Sequence, residues 1–527
     1  MFDAIIVGSG PAGVSAAYQL RSRNVLLIDA GLRAPKDRLP EGNIYDLREK
    51  NTDLSPFLLG NKYESLVNLD RPPTSSKLKA PLMRFVTEKP AAAKADTFDG
   101  FELVSSYAAG GLANAWGAGV FRFSDRDLVC FPIKASELDP YYSELDSITG
   151  ISGRNDDLAR YFGECQNLHE PLPLSPLSET FLRNYSKRKA NLNQKGIWLG
   201  RCRSAVITHD LDSRSAYRSE VKDFFEPNLS SNYNPSFTLD KLIANNEITY
   251  RSGFLVERYE ETPVGVRVFA RTLDGQSEEI FEGRSLILAA GTANTTRMVL
   301  ASNKDYESKL PFLDNPVTFM PLIYPFRIGA ALPTHFYPGA ELILMYDGAR
   351  AKEPILGSFY GLSGPLRTDL LVEFPLSMTG NRIATKYLVP ALAMLQLFYP
   401  DDPSPETTIQ LKAGDNIHIT SKRSRIRALE GYLLRELFKL GFIGLPNLCQ
   451  MPPPGSSIHY AGSLPMRDSP RGKYECNSQG LLSGTRSVYI ADGASFSRLP
   501  SKNLTYTIMA NAMRIADCAC RALSVAA

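Results

Sequence analysis

The sequence lacks an excess of charge of either sign. Its 59 Lys and Arg residues nearly balance its 56 Asp and Glu residues, which leaves a formal net charge of +3 over 527 residues. Proteins that bind nucleic acid carry a basic excess or a basic stripe that meets the phosphates. We therefore predict no nucleic-acid partner.

Long hydrophobic runs and a cysteine framework are also missing. The longest apolar stretch, residues 387–399, is interrupted by Pro390 and is too short to span a bilayer. The first predicted strand begins almost at Met1, which leaves no room for a secretory leader. The seven cysteines are odd in number and scattered, unlike those of a secreted disulfide scaffold. These features predict a cytoplasmic protein with no membrane span.

Histidine is scarce, with five residues in the chain. Cys165 and His169 are four residues apart and could share a helix face, but no second ligand pair accompanies them. We therefore predict no metal site. His209, His335 and His418 stand in no motif and are interpreted as structural or surface residues.

The N-terminus has the pattern of a dinucleotide site. An apolar run at residues 4–7 predicts a buried parallel strand, and the sequence Gly-Ser-Gly-Pro-Ala-Gly at residues 8–13 leads into a helix. In such a unit Gly8 makes the tight turn, Gly10 lets the backbone approach a pyrophosphate, and Gly13 lets helix and strand pack closely. Asp29 ends the second predicted strand, 25–29, where it can accept a ribose hydroxyl. Asp29 argues against NADP but leaves NAD and FAD open.

The remaining chain predicts an α/β fold in discontinuous pieces. Strands at 248–259, 266–271 and 285–290, with a helix from Thr292, return the chain to the dinucleotide sheet. Between about Pro311 and Pro454 alternating runs, among them 408–411 and 416–419, predict an antiparallel sheet, followed by an amphipathic helix at 421–440. We predict a Rossmann-like FAD-binding domain, made of residues 1–128, 246–310 and 455–527, with a lid-like excursion at 31–99. Residues 129–245 and 311–454 form the predicted α+β substrate domain.

The C-terminal block supplies the candidate chemistry. His459 lies in a His-x-x-Gly-Ser segment, Asp492 follows a short apolar run, and Asn503 opens a predicted helix. Imidazole is a suitable proton acceptor near neutral pH, and the Asn503 amide can orient a hydroxyl without titrating. A His/Asn pair beside a dinucleotide site indicates a flavoenzyme.

Six segments in this order carry a resemblance to a known family. They are residues 8–13, Gly-Gly-Leu-Ala-Asn at 110–114, Ala-Ala-Gly-Thr at 289–292, His-Tyr-Ala-Gly-Ser at 459–463, Ala-Asp at 491–492, and Asn-Leu-Thr at 503–505. In these segments, spread over its whole length, the chain resembles the glucose-methanol-choline (GMC) family of FAD-dependent oxidoreductases.

The resemblance assigns roles to further residues. It implies that Gly110, Gly111 and Asn114 approach the flavin, that Val256 contacts the adenine, and that Asp492 binds the ribityl-pyrophosphate region. The helix entry, including Leu504 and Thr505, is implied to support the flavin, and His459 and Asn503 are implied to be the catalytic pair.

Two departures refine this expectation. Some relatives bond FAD covalently through a histidine just before the tryptophan of the glycine segment. Here Ala115 precedes Trp116, so we expect FAD to be non-covalent. Asn503 stands where many relatives have a second histidine, which resembles the His/Asn branch.

The expected activity is oxidation of a CH–OH group in a sugar, glycoside or polyol-like alcohol. His459 takes the hydroxyl proton while a hydride passes to flavin N5. The electron acceptor stays open between oxygen, a quinone and a redox protein. The alternative is a redox-neutral flavoprotein, a lyase or isomerase on the same fold.

Overall fold

The computed structural model describes the whole chain except residues 51, 63–77, 79, 221, 223, 224, 228, 363–375, 424–428 and 527. Within the described part, the helices in chain order are α1 (Pro11–Gln19), α2 (Ile44–Glu49), α3 (Ser55–Leu58), α4 (Ala135–Thr149), α5 (Ala159–Phe162), α6 (Pro176–Gln194), α7 (Pro235–Ala244), α8 (Thr292–Ser302), α9 (Met378–Leu388), α10 (Glu430–Phe438) and α11 (Thr505–Ala526).

The strands are numbered in chain order. The first half contributes β1 (Phe2–Val7), β2 (Val25–Asp29), β3 (Thr97–Asp99), β4 (Ile151–Ser152), β5 (Leu168–His169), β6 (Ile197–Arg201), β7 (Thr249–Ser252) and β8 (Phe254–Thr262). The second half contributes β9 (Gly265–Thr272), β10 (Glu278–Leu288), β11 (Lys309–Pro311), β12 (Leu313–Asp314), β13 (Val317–Ile323), β14 (Leu342–Tyr346), β15 (Ile355–Gly361), β16 (Leu392–Phe398), β17 (Thr407–Lys412), β18 (Asn416–Ser421), β19 (Tyr460–Ala461) and β20 (Val488–Ile490).

A mixed sheet, here called the N-terminal sheet, organises the first half of the site. Among the described residues its order is β7-β2-β1-β10-β9-β8, and β20 pairs with β10. Strands β7, β2, β1, β10 and β20 run parallel, whereas β10, β9 and β8 form an antiparallel arm. The strands are apolar runs buried in the interior, as parallel strands covered on both faces require. The strands predicted at 4–7, 25–29, 266–271 and 285–290 and the helix at 292 are confirmed. The strand predicted at 248–259 is instead two strands, β7 and β8, separated by Gly253.

Two helices cover one face of this sheet. The small residues Ala12, Ala16 and Ala17 of α1 allow a close approach to Ala512 and Ala516 of α11, and all five are buried in one cluster with β1 and β2. Because α11 packs over the ends of the central strands, its first residues are held at the carboxyl edge of the sheet.

A second, antiparallel sheet, here called the cavity sheet, has the order β13-β16-β15-β14-β6. Its residues alternate between two environments, as the two-residue period of a strand requires. One face, including Phe359 and Leu395, packs against Phe181 of α6 and Leu433 and Leu437 of α10. The opposite face is left to line a cavity.

The α/β fold class with an antiparallel second sheet is confirmed, but two details of the prediction for residues 311–454 are wrong. The runs at 408–411 and 416–419 are strands of a separate sheet, β11-β17-β18-β3, and do not join the cavity sheet. The helix predicted at 421–440 begins at Glu430 in the structure. Ser421, where the helix was expected to begin, is the last residue of β18 and pairs with Thr407 of β17. Residues 424–428 of that prediction lie outside the described residues.

The domain boundaries stay a prediction. Nevertheless, β1, β2, β7 to β10 and β20, drawn from three separate parts of the chain, lie in one sheet. No described helix combines the length and the apolar composition needed to cross a membrane.

Candidate active site

A cavity of about 1090 Å³ lies between the carboxyl ends of β1, β2 and β10 and the free face of the cavity sheet. Ligand pockets for small molecules typically measure about 300 to 1,000 Å³. The volume therefore suits a dinucleotide together with a small substrate. Among the residues predicted from sequence, those that line it are Gly8, Gly10, Asp29, Gly111, Val256, His459, Asp492, Asn503, Leu504 and Thr505.

The three glycines of the first turn have different surroundings. A Cβ on Gly13 would lie 1.8 Å from the Gly8 carbonyl oxygen, so Gly13 serves the packing of α1 on β1 and does not face the cavity. Gly8 has φ +99°, and its missing Cβ would collide with the Ala289 carbonyl oxygen at 2.6 Å. Around Gly10 the nearest atom to a Cβ position is 4.0 Å away, on Gly111. Gly10 thus leaves open space at the start of α1, where free backbone N–H groups favour an anion.

Asp29 lies at the end of β2 and faces the same space. Its carboxylate accepts a hydrogen bond from the Ser9 hydroxyl, and burial raises its pKa to about 7. Such burial of a carboxylate is unfavourable unless polar partners surround it. A carboxylate at this point has further lone pairs available for the hydroxyls of a ribose.

The second glycine turn approaches the first. Gly110 and Gly111 have φ +87° and +59°, conformations that glycine adopts without strain. Asn114 does not line the cavity; its amide donates to the carbonyl oxygens of Ala109 at 2.9 Å and Gly111 at 2.7 Å. It also accepts from Asn234 at 2.7 Å. In the structure, therefore, Asn114 holds the glycine turn in place from behind.

Val256 and Asp492 lie in different parts of the cavity wall. Val256 is on β8 at an irregularity of the pairing with β9. The Asp492 carboxylate accepts from the backbone N–H groups of Gly291 at 2.9 Å and Ala494 at 3.0 Å, and from the Thr295 hydroxyl. Burial raises the pKa of Asp492 to about 6. Asp492 therefore fixes the start of α8 beside the cavity as well as lining it.

His459 lies at the other end of the cavity, with its ring stacked on Phe398 at a centroid distance of 5.2 Å. The residue before it, Ile458, has φ +60°, which is strained for a β-branched residue. Burial lowers the pKa of His459 to about 4, so the imidazole is neutral at physiological pH. Strain of this kind persists only where the surrounding structure holds the segment.

The hydrogen bond of His459 determines which ring nitrogen carries the proton. Its Nδ1 lies 2.9 Å from Oδ1 of Asn315. The Asn315 amide nitrogen donates to the carbonyl oxygens of Tyr399 at 2.8 Å and Pro500 at 2.9 Å, which fixes the orientation of the amide. Since the Asn315 oxygen can only accept, Nδ1 must be the protonated nitrogen of the neutral ring. Nε2 then has a free lone pair and can accept a proton.

Asn503 lies two residues before the start of α11 and lines the cavity. Its Oδ1 is buried and has no hydrogen-bond partner among the described residues. A buried polar atom of this kind usually has a partner, so a ligand atom is the simplest one. The neighbouring Lys502 is buried and donates to Asp127 at 2.5 Å and to the Tyr161 carbonyl at 2.6 Å, which anchors this loop.

The cavity sheet supplies a row of side chains that was not predicted. Gln396 of β16 is opposite Phe319 of β13 on one side and Ser358 of β15 on the other. All three line the cavity, together with Phe398 and Met394 two residues away along β16. This wall offers amide and hydroxyl groups for hydrogen bonds, set among aromatic and thioether surfaces.

A buried network of charges lies behind the segment that leads to His459. Arg423 donates to Asp314 at 2.9 Å and to Asp401 at 2.6 Å, and Gly455 N–H donates to Asp314 at 2.7 Å. Burial raises the pKa of Asp401 to about 7. Arg423 falls within the helix predicted at 421–440. In the structure Arg423 instead follows β18, and its guanidinium is largely buried. Arg425 and Arg427 lie outside the described residues.

No group of three or more His, Cys, Asp or Glu side chains in the described part of the chain could hold a metal ion. His169 is in a strand rather than a helix and stacks on His209 at 3.6 Å, whereas the Cys165 thiol contacts Asp146.

Sequence reasoning missed Asn315, Phe398, Gln396 and Ser358. The one available signal was at Asn315, where the polar pair Asp-Asn precedes Pro316 and an alternating apolar run. The others become neighbours only through strand register, which a single sequence does not determine.

The fold is similar to those of solved flavoprotein structures at low sequence identity. Pyridoxine 4-oxidase from Mesorbium loti matches with a TM-score of 0.61 at 13% identity, covering 98% of this chain and 99% of that one. Formate oxidase from Aspergillus oryzae RIB40 matches with a TM-score of 0.60 at 14% identity, covering 98% of each chain. An FAD-dependent oxidoreductase from Chaetomium thermophilum matches with a TM-score of 0.57 at 14% identity, covering 98% and 99%. Neither a protein-family model nor a curated protein matches the sequence. At these identities the matches establish the fold alone, which this chain shares with these three enzymes over nearly its whole length.

Proposed function

We propose that the protein is an FAD-dependent oxidoreductase of the GMC type, in its His/Asn branch, that oxidises a CH–OH group. The observation that carries this proposal is the neutral His459, held with Nε2 free, in the same cavity as the Gly8 and Gly10 turn. A proton acceptor and a dinucleotide cradle in one cavity are the two parts that alcohol oxidation by a flavin needs.

The residues present fit FAD. The open space beside Gly10 and the first turn of α1 suit a pyrophosphate, and Asp29 suits the adjacent ribose. At the far end, the start of α11 presents backbone N–H groups of its first turn at the cavity, beside Leu504 and Thr505. Gly111, facing Gly10 across a narrow gap, leaves room for a planar group between the two glycine turns and His459.

The catalytic pair divides the work on the alcohol. Bound FAD would supply the acceptor for the hydride. His459 accepts the hydroxyl proton at Nε2, and Asn315 keeps the other ring nitrogen protonated so that Nε2 stays available. The Asn503 amide holds the same hydroxyl through its otherwise unpartnered oxygen or its nitrogen. Phe398 stacks on the imidazole and restricts its orientation.

A sugar, glycoside or polyol-like alcohol is the proposed substrate class. Support comes from the row of Phe319, Gln396 and Ser358, because amides and hydroxyls bind hydroxyl groups while aromatic faces cover ring carbons. The Asp, Glu, Lys and Arg side chains lining the described part of the cavity lie outside this row; they are Asp29, Lys94, Glu257, Arg297, Asp415 and Asp492. An uncharged ligand is therefore favoured.

We further propose that FAD is bound without a covalent link and that the protein works in the cytoplasm. Ala115 offers no nucleophile at the position before Trp116. The Cys202 thiol also lines the cavity, but burial raises its pKa to about 12, so its reactive thiolate is scarce at neutral pH.

Anaerobic flavin bleaching by a panel of neutral alcohols tests the proposal. An oxidase or dehydrogenase must leave its flavin reduced when oxygen is absent, whereas a redox-neutral lyase or isomerase leaves it oxidised. Flavin that stays yellow while substrate is converted would establish the redox-neutral alternative.

The role of His459 is tested with His459→Ala. We expect the variant to retain FAD, because the pyrophosphate and ribose contacts lie at the other end of the cavity, yet to reduce its flavin at least about 10²-fold more slowly. His418→Ala is the matched control, since His418 bonds to Thr97 in a different sheet. Equal reduction rates in the two variants would show that His459 has only a structural role.

A further inference from the structure

Large apolar side chains are exposed together on one part of the surface. They come from residues 326–332, from α9 and the residue Leu376 before it, and from residues 438–448. We call this surface the apolar face; its members are Phe326, Ile328, Leu332, Leu376, Ile383, Tyr387, Phe438, Ile443, Leu445 and Leu448. Phe326 is 84% exposed. Single exposed apolar residues are ordinary, but a group of this size marks an interaction surface.

The three segments are in direct contact. Gly329 N–H donates to the Tyr387 carbonyl at 2.8 Å, which joins the first segment to α9. Ile323, three residues before the first segment, and Ile443 of the third segment exchange backbone hydrogen bonds at 2.8 Å. The Tyr324 ring packs against Phe326, with centroids 5.5 Å apart. The three segments that carry the apolar face are therefore neighbours in the fold.

The face is also cationic. On α9 the exposed positions 379, 382, 383, 386 and 387 recur at helical spacing, so they share one side of the helix. That side carries Arg382 and Lys386 next to Ile383 and Tyr387. The sequence contains no Asp or Glu in residues 324–336, 376–391 or 437–453. In the part of the chain that the structure describes, neither Arg382 nor Lys386 forms an ion pair. Apolar side chains mixed with such cations are the composition of a helix that lies in a lipid interface.

The mouth of the cavity adjoins this face. Asn447 and Gln450 are both exposed and both line the cavity, so they stand at its opening. Leu445 and Leu448, members of the apolar face, flank Asn447 in the chain. Any surface that covers the apolar face would therefore meet the entrance of the cavity.

We propose that the apolar face docks on an anionic lipid surface, with its apolar side chains in the interface and Arg382 and Lys386 against lipid phosphates. The cavity then opens at the lipid surface, where lipid-soluble molecules enter it directly. A second copy of the chain is the less suitable occupant. In a two-fold dimer the face would meet itself and bring four cations of the two α9 helices together. The inference does not depend on the proposed oxidation.

Flotation of the full-length purified protein with lipid vesicles tests the proposal. We expect binding to vesicles of phosphatidylcholine and phosphatidylglycerol in equal parts, weaker binding as salt is raised, and little binding to phosphatidylcholine alone. The paired charge reversal Arg382→Glu with Lys386→Glu should lower the partition coefficient about 30-fold or more, since each basic residue near such a surface contributes about fivefold. Phe326→Asp with Ile383→Asp should lower it as strongly.

Matched controls use other exposed sites. Val264→Asp changes an exposed apolar residue in the turn between β8 and β9, and Lys187→Glu with Arg188→Glu reverses two exposed cations on α6. Both controls should bind vesicles like the wild type. Thermal melts establish that every variant is folded.

The proposal is overturned if the wild type floats with neither vesicle, or if the controls lose binding as much as the variants of the apolar face. It is also overturned if sedimentation shows a dimer that Phe326→Asp with Ile383→Asp dissociates, since the face would then bind a second copy.

Discussion

Replacing Asn315 by alanine should slow flavin reduction while leaving the cofactor bound. The substitution removes the one acceptor that faces Nδ1 of His459 among the described residues, at 2.9 Å, and leaves the ring itself in place. Without that acceptor the neutral imidazole can move its proton to Nε2. The atom proposed to receive the substrate proton would then already carry one.

The size of the effect follows from the cost of an unsatisfied buried donor, about 1 to 3 kcal/mol. That free energy is the preference that Asn315 gives to the Nδ1–H form of His459. Because about 1.4 kcal/mol corresponds to a factor of ten, the reactive form should become about 5-fold to 150-fold rarer. The rate of reduction should fall by the same factor, and by no more than it falls in His459→Ala.

Stopped-flow measurement of anaerobic flavin reduction by a saturating alcohol is the assay. The loss should persist at neutral and alkaline pH, since a neutral ring in the wrong tautomer is not corrected by removing protons from solution. The control is Asn303→Ala. Like Asn315, Asn303 donates its amide to backbone, here to the Val299 carbonyl, but Asn303 lies just after the end of α8. Asn303→Ala should reduce its flavin at the wild-type rate.

Two results would refute the reasoning. Wild-type reduction rates in Asn315→Ala would mean that the tautomer is determined by another group. A loss that disappears when the pH is raised would mean that Asn315 acts on the protonation of His459 instead of on the position of its proton.

Four further predictions follow from the site. Since the pKa of His459 is lowered to about 4, the wild-type reduction rate should be flat at neutral pH and fall only as pH drops through about 4, where the ring gains its second proton, as a pH series of reduction rates would show. Gly10→Val should give folded but colourless protein, whereas Gly13→Val should fail to fold, because only the valine at position 13 collides with backbone. Visible absorbance measures the bound flavin, and circular dichroism measures folding. Arg423→Met leaves two buried carboxylates unpaired and should lower the free energy of unfolding by about 3 to 5 kcal/mol in urea titrations. Asn503→Ala should slow reduction less than His459→Ala while the flavin content, read from absorbance, stays unchanged.

The parts of the site that the sequence predicts are those built from neighbouring residues. The Gly8 turn, the end of β2 at Asp29 and the helix after Gly291 are each contained in one strand, turn and helix, so their local pattern is sufficient. His459 and Asn503 were found because they lie in one block near the chain end, in an order that resembles a known family.

The remaining parts depend on distant pairing. Asn315 bonds to a histidine 144 residues away, and nothing in either segment alone indicates it. The helix expected from residue 421 is replaced at its start by strand, because Ser421 and Thr407 pair and their hydroxyls lie 2.8 Å apart. Tertiary pairing here overrides an amphipathic pattern that was correct from Leu429 onward, where Leu433 and Leu437 are buried.

The short segment Leu313–Asp314 and the residue after it explain how the proposed catalytic pair is held. Strand β12 pairs with β19, which begins one residue after His459. Asn315 donates to the Pro500 carbonyl, three residues before Asn503, and Asp401 exchanges backbone hydrogen bonds with Leu499 at 2.7 and 2.8 Å. Residues 313–315, together with Asp401, thus hold the loops that carry His459 and Asn503. Their relative position is therefore fixed before any substrate binds, and this is the condition under which positioned groups accelerate a reaction without reorganising.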